Sequence, residues 1–195
     1  MIHFELGYNP SRFHQSLGKK SKGERAVEDS TDIRAETRRL INEQRTLHLA
    51  TRAHSGDPEA SYAPFIVDQS GAFYIFVSKL SRHTRNLLEQ PVLSVLVIEP
   101  EADAQQVFAR KRLSYHCRAE VIGREDSEWE MRLDEFEVRF GAIIDMLRSL
   151  DDFVLFRLVP LNGSFVKGFG QAYTLDAHSI KHVSADRIQR DGTIA

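Results

Sequence analysis

Apolar and polar positions alternate over several short stretches of the chain, and a two-residue period predicts strands. Leu47 and Leu49 point one way within Thr46–Thr51, a first strand. Ala60–Val67 reads as a second, and its Pro64 implies an edge or bulge position. Ala72–Val77 is a third. The turn signals Ser55-Gly56-Asp57-Pro58 and Asp68-Gln69-Ser70-Gly71 separate them, so the three read as an antiparallel meander. Val92–Ile98 is almost continuously apolar, which predicts a strand buried on both faces. Arg112–Ile122 sets Leu113, Tyr115, Cys117, Ala119 and Val121 on one side, with Arg112, His116, Arg118 and Glu120 on the other. Phe153–Val159 predicts another strand, Asn162-Gly163 a hairpin turn, and Ser164–Lys167 the return strand. Gly168-Phe169-Gly170 interrupts this run before Ala172–Leu175 extends again.

Helical spacing is confined to a few segments. Ser30 or Thr31 caps a helix with Ile33, Thr37, Leu40 and Ile41 on one face. A short helix follows Ser78 and stops at Pro91, and Asp103–Phe108 predicts another. Ser127–Arg148 carries Met131, Phe136, Phe140, Ile143, Ile144 and Leu147 as a stripe, with Gly141 as a break. The fold class is therefore mainly β with accessory helices (α+β), in the form of a six-stranded antiparallel split barrel. Alternating strand–helix units with a glycine-rich first turn are missing, which excludes a doubly wound dinucleotide fold. Residues 1–30 read as a polar arm, 31–176 as the barrel and 177–195 as a tail.

Composition narrows the function classes. The 195 residues are 42% hydrophobic, enough for one domain with one core. A net charge of −2 excludes a general nucleic-acid binder, so any basic site is local. Cys117 is the only cysteine, so there is no intrachain disulfide and no cysteine-based zinc site. With no secretory signal and no apolar run of roughly 20 residues, the expected location is the cytoplasm.

The candidate chemistry is concentrated in Ser78-Lys79-Leu80-Ser81-Arg82-His83-Thr84-Arg85, which holds donors and no acid and opens a helix. Such a run suits an anion, either a phosphate or the carboxylate of a flat cofactor, or else it is a solvated basic turn. Arg110-Lys111-Arg112 is a second basic cluster, and the two could converge on one acidic ligand. His83, between Arg82 and Arg85, suits an anion better than a metal. His178 and His182 are spaced to share one face of a helix, as ligands to one metal or haem iron. Asp151-Asp152 could be an acid pair or a turn cap. No hydrolase nucleophile motif, zincin motif or Walker loop is present.

Six blocks in order carry a resemblance. They are Ser61-Tyr62-Ala63-Pro64-Phe65, Arg82-His83-x-Arg85-Asn86-Leu87, Phe108-Ala109-Arg110-Lys111-Arg112-Leu113, Arg139-Phe140-Gly141-x-Ile143-Ile144-Asp145, Asp152-Phe153-x-Leu155-Phe156-Arg157-Leu158, and Val166-Lys167-Gly168-Phe169-Gly170-Gln171-Ala172-Tyr173. The chain thereby resembles haem-utilisation proteins of the HutZ/HugZ type, a branch of the pyridoxamine-phosphate-oxidase-like, flavin-binding split-barrel superfamily. The resemblance implies a homodimer with cofactor clefts at the interface. It implies haem b as cofactor, with FMN as the alternative, and oxidative haem degradation or haem carriage as the function. Ser78, Lys79, Arg82, His83, Arg85, Arg110, Lys111 and Arg112 are the matching anion-binding positions. Asp152 matches the residue that orients an axial histidine in the tail. Ungapped extension puts Arg190 at that histidine's place, which leaves His178 and His182 as the candidate iron ligands. The electron donor is not implied.

Overall fold

The computed structural model describes residues 22–176 and 180–183, with side chains from Thr31 onward. In chain order the elements are α1 (Lys22–Glu43), β1 (Thr46–Arg52), β2 (Pro58–Pro64), β3 (Ile66–Val67), β4 (Phe73–Ser78), α2 (Arg82–Glu89), β5 (Val92–Ile98), β6 (Arg112–Ile122), α3 (Ser127–Phe140), α4 (Ile143–Arg148), β7 (Phe153–Gly168), β8 (Gln171–Asp176) and β9 (Ile180–His182).

All pairings are antiparallel, along the path β2-β1-β5-β6-β7-β4-β3. The path begins and ends on one segment, because β2 and β3 are the two arms of a strand bent at Phe65. Pro64 lacks the N–H that a continuous strand would need, and the bend lets β2 pair with β1 while β3 pairs with β4. Counting β2 and β3 together gives the six strands expected. β8 and β9 form an added hairpin on the second half of β7.

The interior is filled by the inward rows of the strands. These include Leu47 and Leu49, Ile75 and Val77, Leu93, Val95 and Val97, Leu113 and Phe165, with Ile33, Leu40 and Ile41 of α1 packed among them. A second cluster lies outside β4, where Tyr74 and Phe76 meet Trp129, Leu133 and Phe136 of α3. β4, not β5, is therefore the strand buried on both faces. Among the described residues nothing covers the outer face of β5, so Val92, Ser94, Leu96 and Ile98 are partly or largely accessible. The expected helical stripe holds at Phe136, Phe140, Ile144 and Leu147, with Trp129 and Leu133 added to it, while Met131 and Ile143 are half exposed. Val121 is likewise exposed, and its neighbour Ile122 is the buried one, beneath α3.

Three further expectations change. α1 begins at Lys22, because no glycine or proline breaks the chain between Glu24 and Glu43; Ser30 and Thr31 lie inside it rather than capping it. Asn162-Gly163 is not a turn, since β7 runs through it to Gly168. Gly163 is there for space: a Cβ on it would lie 2.3 Å from the Ser114 carbonyl oxygen and 2.4 Å from Tyr115 Cδ1. Two 3-10 turns, Glu101–Asp103 and Val107–Ala109, replace the short helix expected over Asp103–Phe108. The Gly141 break is as expected, with φ at 87° between α3 and α4.

Candidate functional site

β4 delivers Ser78 to the sheet edge opposite Phe153, where β7 begins. The Ser78 hydroxyl donates to Asp152 Oδ2 and accepts the Leu80 N–H at 3.0 Å. The Lys79 N–H donates to the Asp152 carbonyl at 2.8 Å. The basic loop therefore carries a carboxylate after all, brought to it by the fold. Sequence order hid this, because Asp152 follows more than seventy residues later.

α2 then docks on β1 through its buried side. Asn86 Nδ2 donates to Thr51 Oγ1 at 3.0 Å and to Glu59 Oε2 at 3.3 Å, and Leu87 enters the core. His83 belongs to this buried side. It is 9% exposed, and among the described residues its Nε2 has no hydrogen-bond partner. Burial lowers its pKa, against the pull of Glu59, so the ring is held neutral. His83 is thus not a surface cation reaching for an anion. Arg82 sits 3.9 Å from Glu59, which shares its charge. The Arg85 guanidinium donates to the Leu80 carbonyl at 3.4 Å. Glu59 is the residue that sequence reasoning missed. Its only sequence signal is its place two residues before Ser61 on the same strand face.

The second cluster is partly committed as well. Arg110 donates to the Glu99 carbonyl and pairs with Glu101 at 3.1 Å, clasping the loop between β5 and β6. Arg112 donates to the Arg110 carbonyl at 3.2 Å. Among the described residues, Lys79, Arg85, Lys111 and Arg112 have no carboxylate within ion-pair distance. These four are the cations of the two clusters left available.

The two clusters do not converge within one chain. Ser78 pairs with Phe153 and Arg112 pairs with Val166, thirteen residues further along β7. That is roughly 40 Å of extended strand. The same separation parts Asp152 from His182, since β9 joins β8 on the far half of β7. His182 is exposed, with its ring edge-on to Tyr173 at 5.1 Å. It lies on a strand, not on the shared helical face proposed for it and His178, and His178 and Arg190 lie outside the described residues. Among the described residues no group of three or more His, Cys, Asp or Glu could hold a metal, and no helix is long and apolar enough to cross a membrane.

The outer face between the clusters has its own pattern. His48 of β1 lies opposite Tyr62 and Leu96, and Ser94 Oγ meets His116 Nδ1 at 3.0 Å. The remaining signature blocks are pins. Arg139 donates to the Gln44 carbonyl and lies over Phe65, while Arg45 lies over Phe140 and donates to the Arg139 carbonyl at 3.0 Å.

Comparison with known proteins fits this geometry. The family model of pyridoxamine 5'-phosphate oxidase matches residues 33–167, from the first core residue of α1 to the second half of β7. The chain belongs to that family. Within it, the chain is 43% identical to the haem oxygenase HutZ of Vibrio cholerae over 148 residues, 76% of this chain and 84% of HutZ. The crystal structure of HutZ, described as a haem storage protein, superposes with a TM-score of 0.61 at 42% identity, over 65% of this chain and 88% of HutZ. ChuZ of Campylobacter jejuni gives a TM-score of 0.74 at 34% identity, over 80% of this chain and 64% of ChuZ. The chain is thus a HutZ-type member of the family, on an antiparallel split-barrel fold.

Proposed function

We propose that the chain binds haem as a homodimer and takes part in haem utilisation, with oxidative ring opening and iron release as the reaction. The supporting observation is the pair of uncommitted cationic ends, Lys79 with Arg85 and Lys111 with Arg112, separated by an uncovered sheet face. An antiparallel second copy packed on the outer faces of β1, β5 and β6 brings one chain's first end toward the other chain's second. It also covers Leu96 and Ile98, which the described residues of one chain leave partly open. The nearly unbroken apolar run of β5 is then accounted for on both sides.

The donor chemistry of these residues fits haem, whose two propionates need cations without competing acids. Lys79, Arg85, Lys111 and Arg112 would hold the propionates, with Ser78 as a neutral donor. Arg110 and Arg82 would support the rims and are already partly neutralised. His182 is the candidate axial donor among the described residues, and Asp152 of the opposite subunit is the group to orient it. When bound, haem supplies the redox-active iron and the ring that is oxidised. The protein's part is to fix the ring's orientation and to cover it from water across the paired sheets.

A titration of the protein with haem tests this. The expected result is a Soret band saturating at one haem per chain, with oxygen and a reductant then bleaching it. His182→Ala should shift or lose the band, and Leu96→Glu should give a monomer by sedimentation and weaken binding. A featureless titration with a monomeric wild type discards the proposal.

A second reading rests on the family match itself: FMN held by the same cations through its phosphate, in an oxidoreductase. Flavin absorbance in the purified protein would favour it. A saturated haem complex that stays spectrally unchanged with oxygen and reductant would make the protein a carrier. In any of these roles we place it in the cytoplasm, where the buried free thiol of Cys117 is at home.

A further inference from the structure

β7 serves two partners in succession. β4 pairs with its first half, Phe153–Leu158, and β8 with its second, Asn162–Gly168. The sheet is therefore open between the β3–β4 turn and the β8–β9 hairpin, and α1 lies across the opening. A cavity of about 650 Å³ occupies this place. It is the size of an ordinary small-molecule site. None of the proposed haem-binding residues lines it.

Its walls are built from two chemistries. Arg34 and Arg38 come from successive turns of α1, and among the described residues neither has a carboxylate within ion-pair distance. The contrast within the molecule is sharp: Arg132 and Arg148 each hold carboxylates on two or more sides. Like charges spaced i,i+4 on a helix repel, so the pair costs stability without an anion between them. Two acids border the cavity, Asp68 and Asp176, and each has interactions of its own. Asp68 is bound by Ser70, the Ala72 N–H, Tyr74 and Arg132.

The other wall is apolar, with Val67, Leu175 and Ile180. Tyr115 completes it. Its ring lies against Gly163, where any side chain would collide with it, and packs on Phe73 at 6.2 Å. Burial raises its pKa, with Arg34 pulling the other way, so the phenol remains a neutral donor.

We propose that this cavity binds a small organic acid, with a flat or aliphatic body against Tyr115, Val67 and Leu175 and one carboxylate or phosphate between Arg34 and Arg38. The proposal goes beyond haem binding and does not rest on it.

Fluorescence titration of the whole protein with 8-anilinonaphthalene-1-sulfonate is the test, the dye serving as a flat monoanion. One saturable site is expected. Arg34→Gln with Arg38→Gln should weaken it about tenfold or more. Gln69→Trp, which fills the mouth from an exposed turn, should abolish it. Naphthoate or naphthyl phosphate should displace the dye, and whichever displaces it at lower concentration names the preferred anion. Haem titrations should be unchanged in these variants, which separates this site from the haem proposal. Dye affinity unaltered in both variants, or equal displacement by uncharged naphthalenemethanol, overturns the proposal.

Discussion

The Tyr74 hydroxyl donates to Glu128 Oε1 at 2.6 Å, tying the strand that is buried on both faces to the helix that buries its outer side. Arg132 lies over the same ring, 4.3 Å from its centre, and reaches both Glu128 and Asp68. Glu128 is on α3 and Asp68 on the β3–β4 turn, so three elements share one polar knot. Tyr74→Phe keeps the packing but leaves the acids short of a donor. Denaturant unfolding should show a loss of about 1–3 kcal/mol.

The same knot sets an acid limit. Hydrogen bonding from Tyr74 leads the lowering of the Glu128 pKa, with Arg132 adding to it. Burial pushes Asp68 up, but Ser70, the Ala72 N–H, Tyr74 and Arg132 together bring it below the usual range. Both carboxylates thus have lower pKa values folded than unfolded. Their stabilisation is complete above the unfolded value of about 4 and is lost as pH falls through the folded values. Thermal melts from pH 6 downward should show this slope, and Glu128→Gln with Asp68→Asn should flatten it.

His83 adds a second slope at higher pH. Its folded pKa lies below the unfolded value of about 6.5, because burial disfavours the charged ring. Above that value both states are neutral and nothing is lost. As pH falls from the unfolded value toward the folded one, only the unfolded chain takes the proton, and stability declines. A proton NMR titration of His83 should give a midpoint below 6.5, and the limb should disappear in His83→Phe.

Cys117 faces the barrel interior, and burial alone pushes its pKa up to about 12. The thiolate is the reactive species, so the native protein should leave Ellman's reagent uncoloured at pH 8. One equivalent of thiol should appear once denaturant is added.

Much of the barrel is legible in the sequence because inward rows must be apolar. Leu47 with Leu49, and the extent of β6, follow from alternation, and the extent of β5 from its apolar run. What covers an outer face does not. β4 and β5 look alike as apolar runs, yet only β4 receives α3. Asn162-Gly163 carries the right letters for a turn, but the glycine is fixed by Tyr115 on another strand. The basic loop was visible, whereas Asp152 and Glu59, which share it, arrive by pairings no local pattern encodes. His83 departs from its sequence signal for a related reason: its flanking arginines signal a surface, while the helix turns its ring inward.

The distances between paired strands bear on how the chain comes together. Ser78 must wait for Phe153 and Phe73 for Leu158, so β4 lacks its six-residue ladder with β7 until most of the polypeptide exists. Contacts so remote in order slow the search for the native state. Until β7 leaves the ribosome, the long edge of β4 that β7 will cover is open, with only the two-residue β3 on its other side, and that interval is when a nascent chain is most exposed to aggregation.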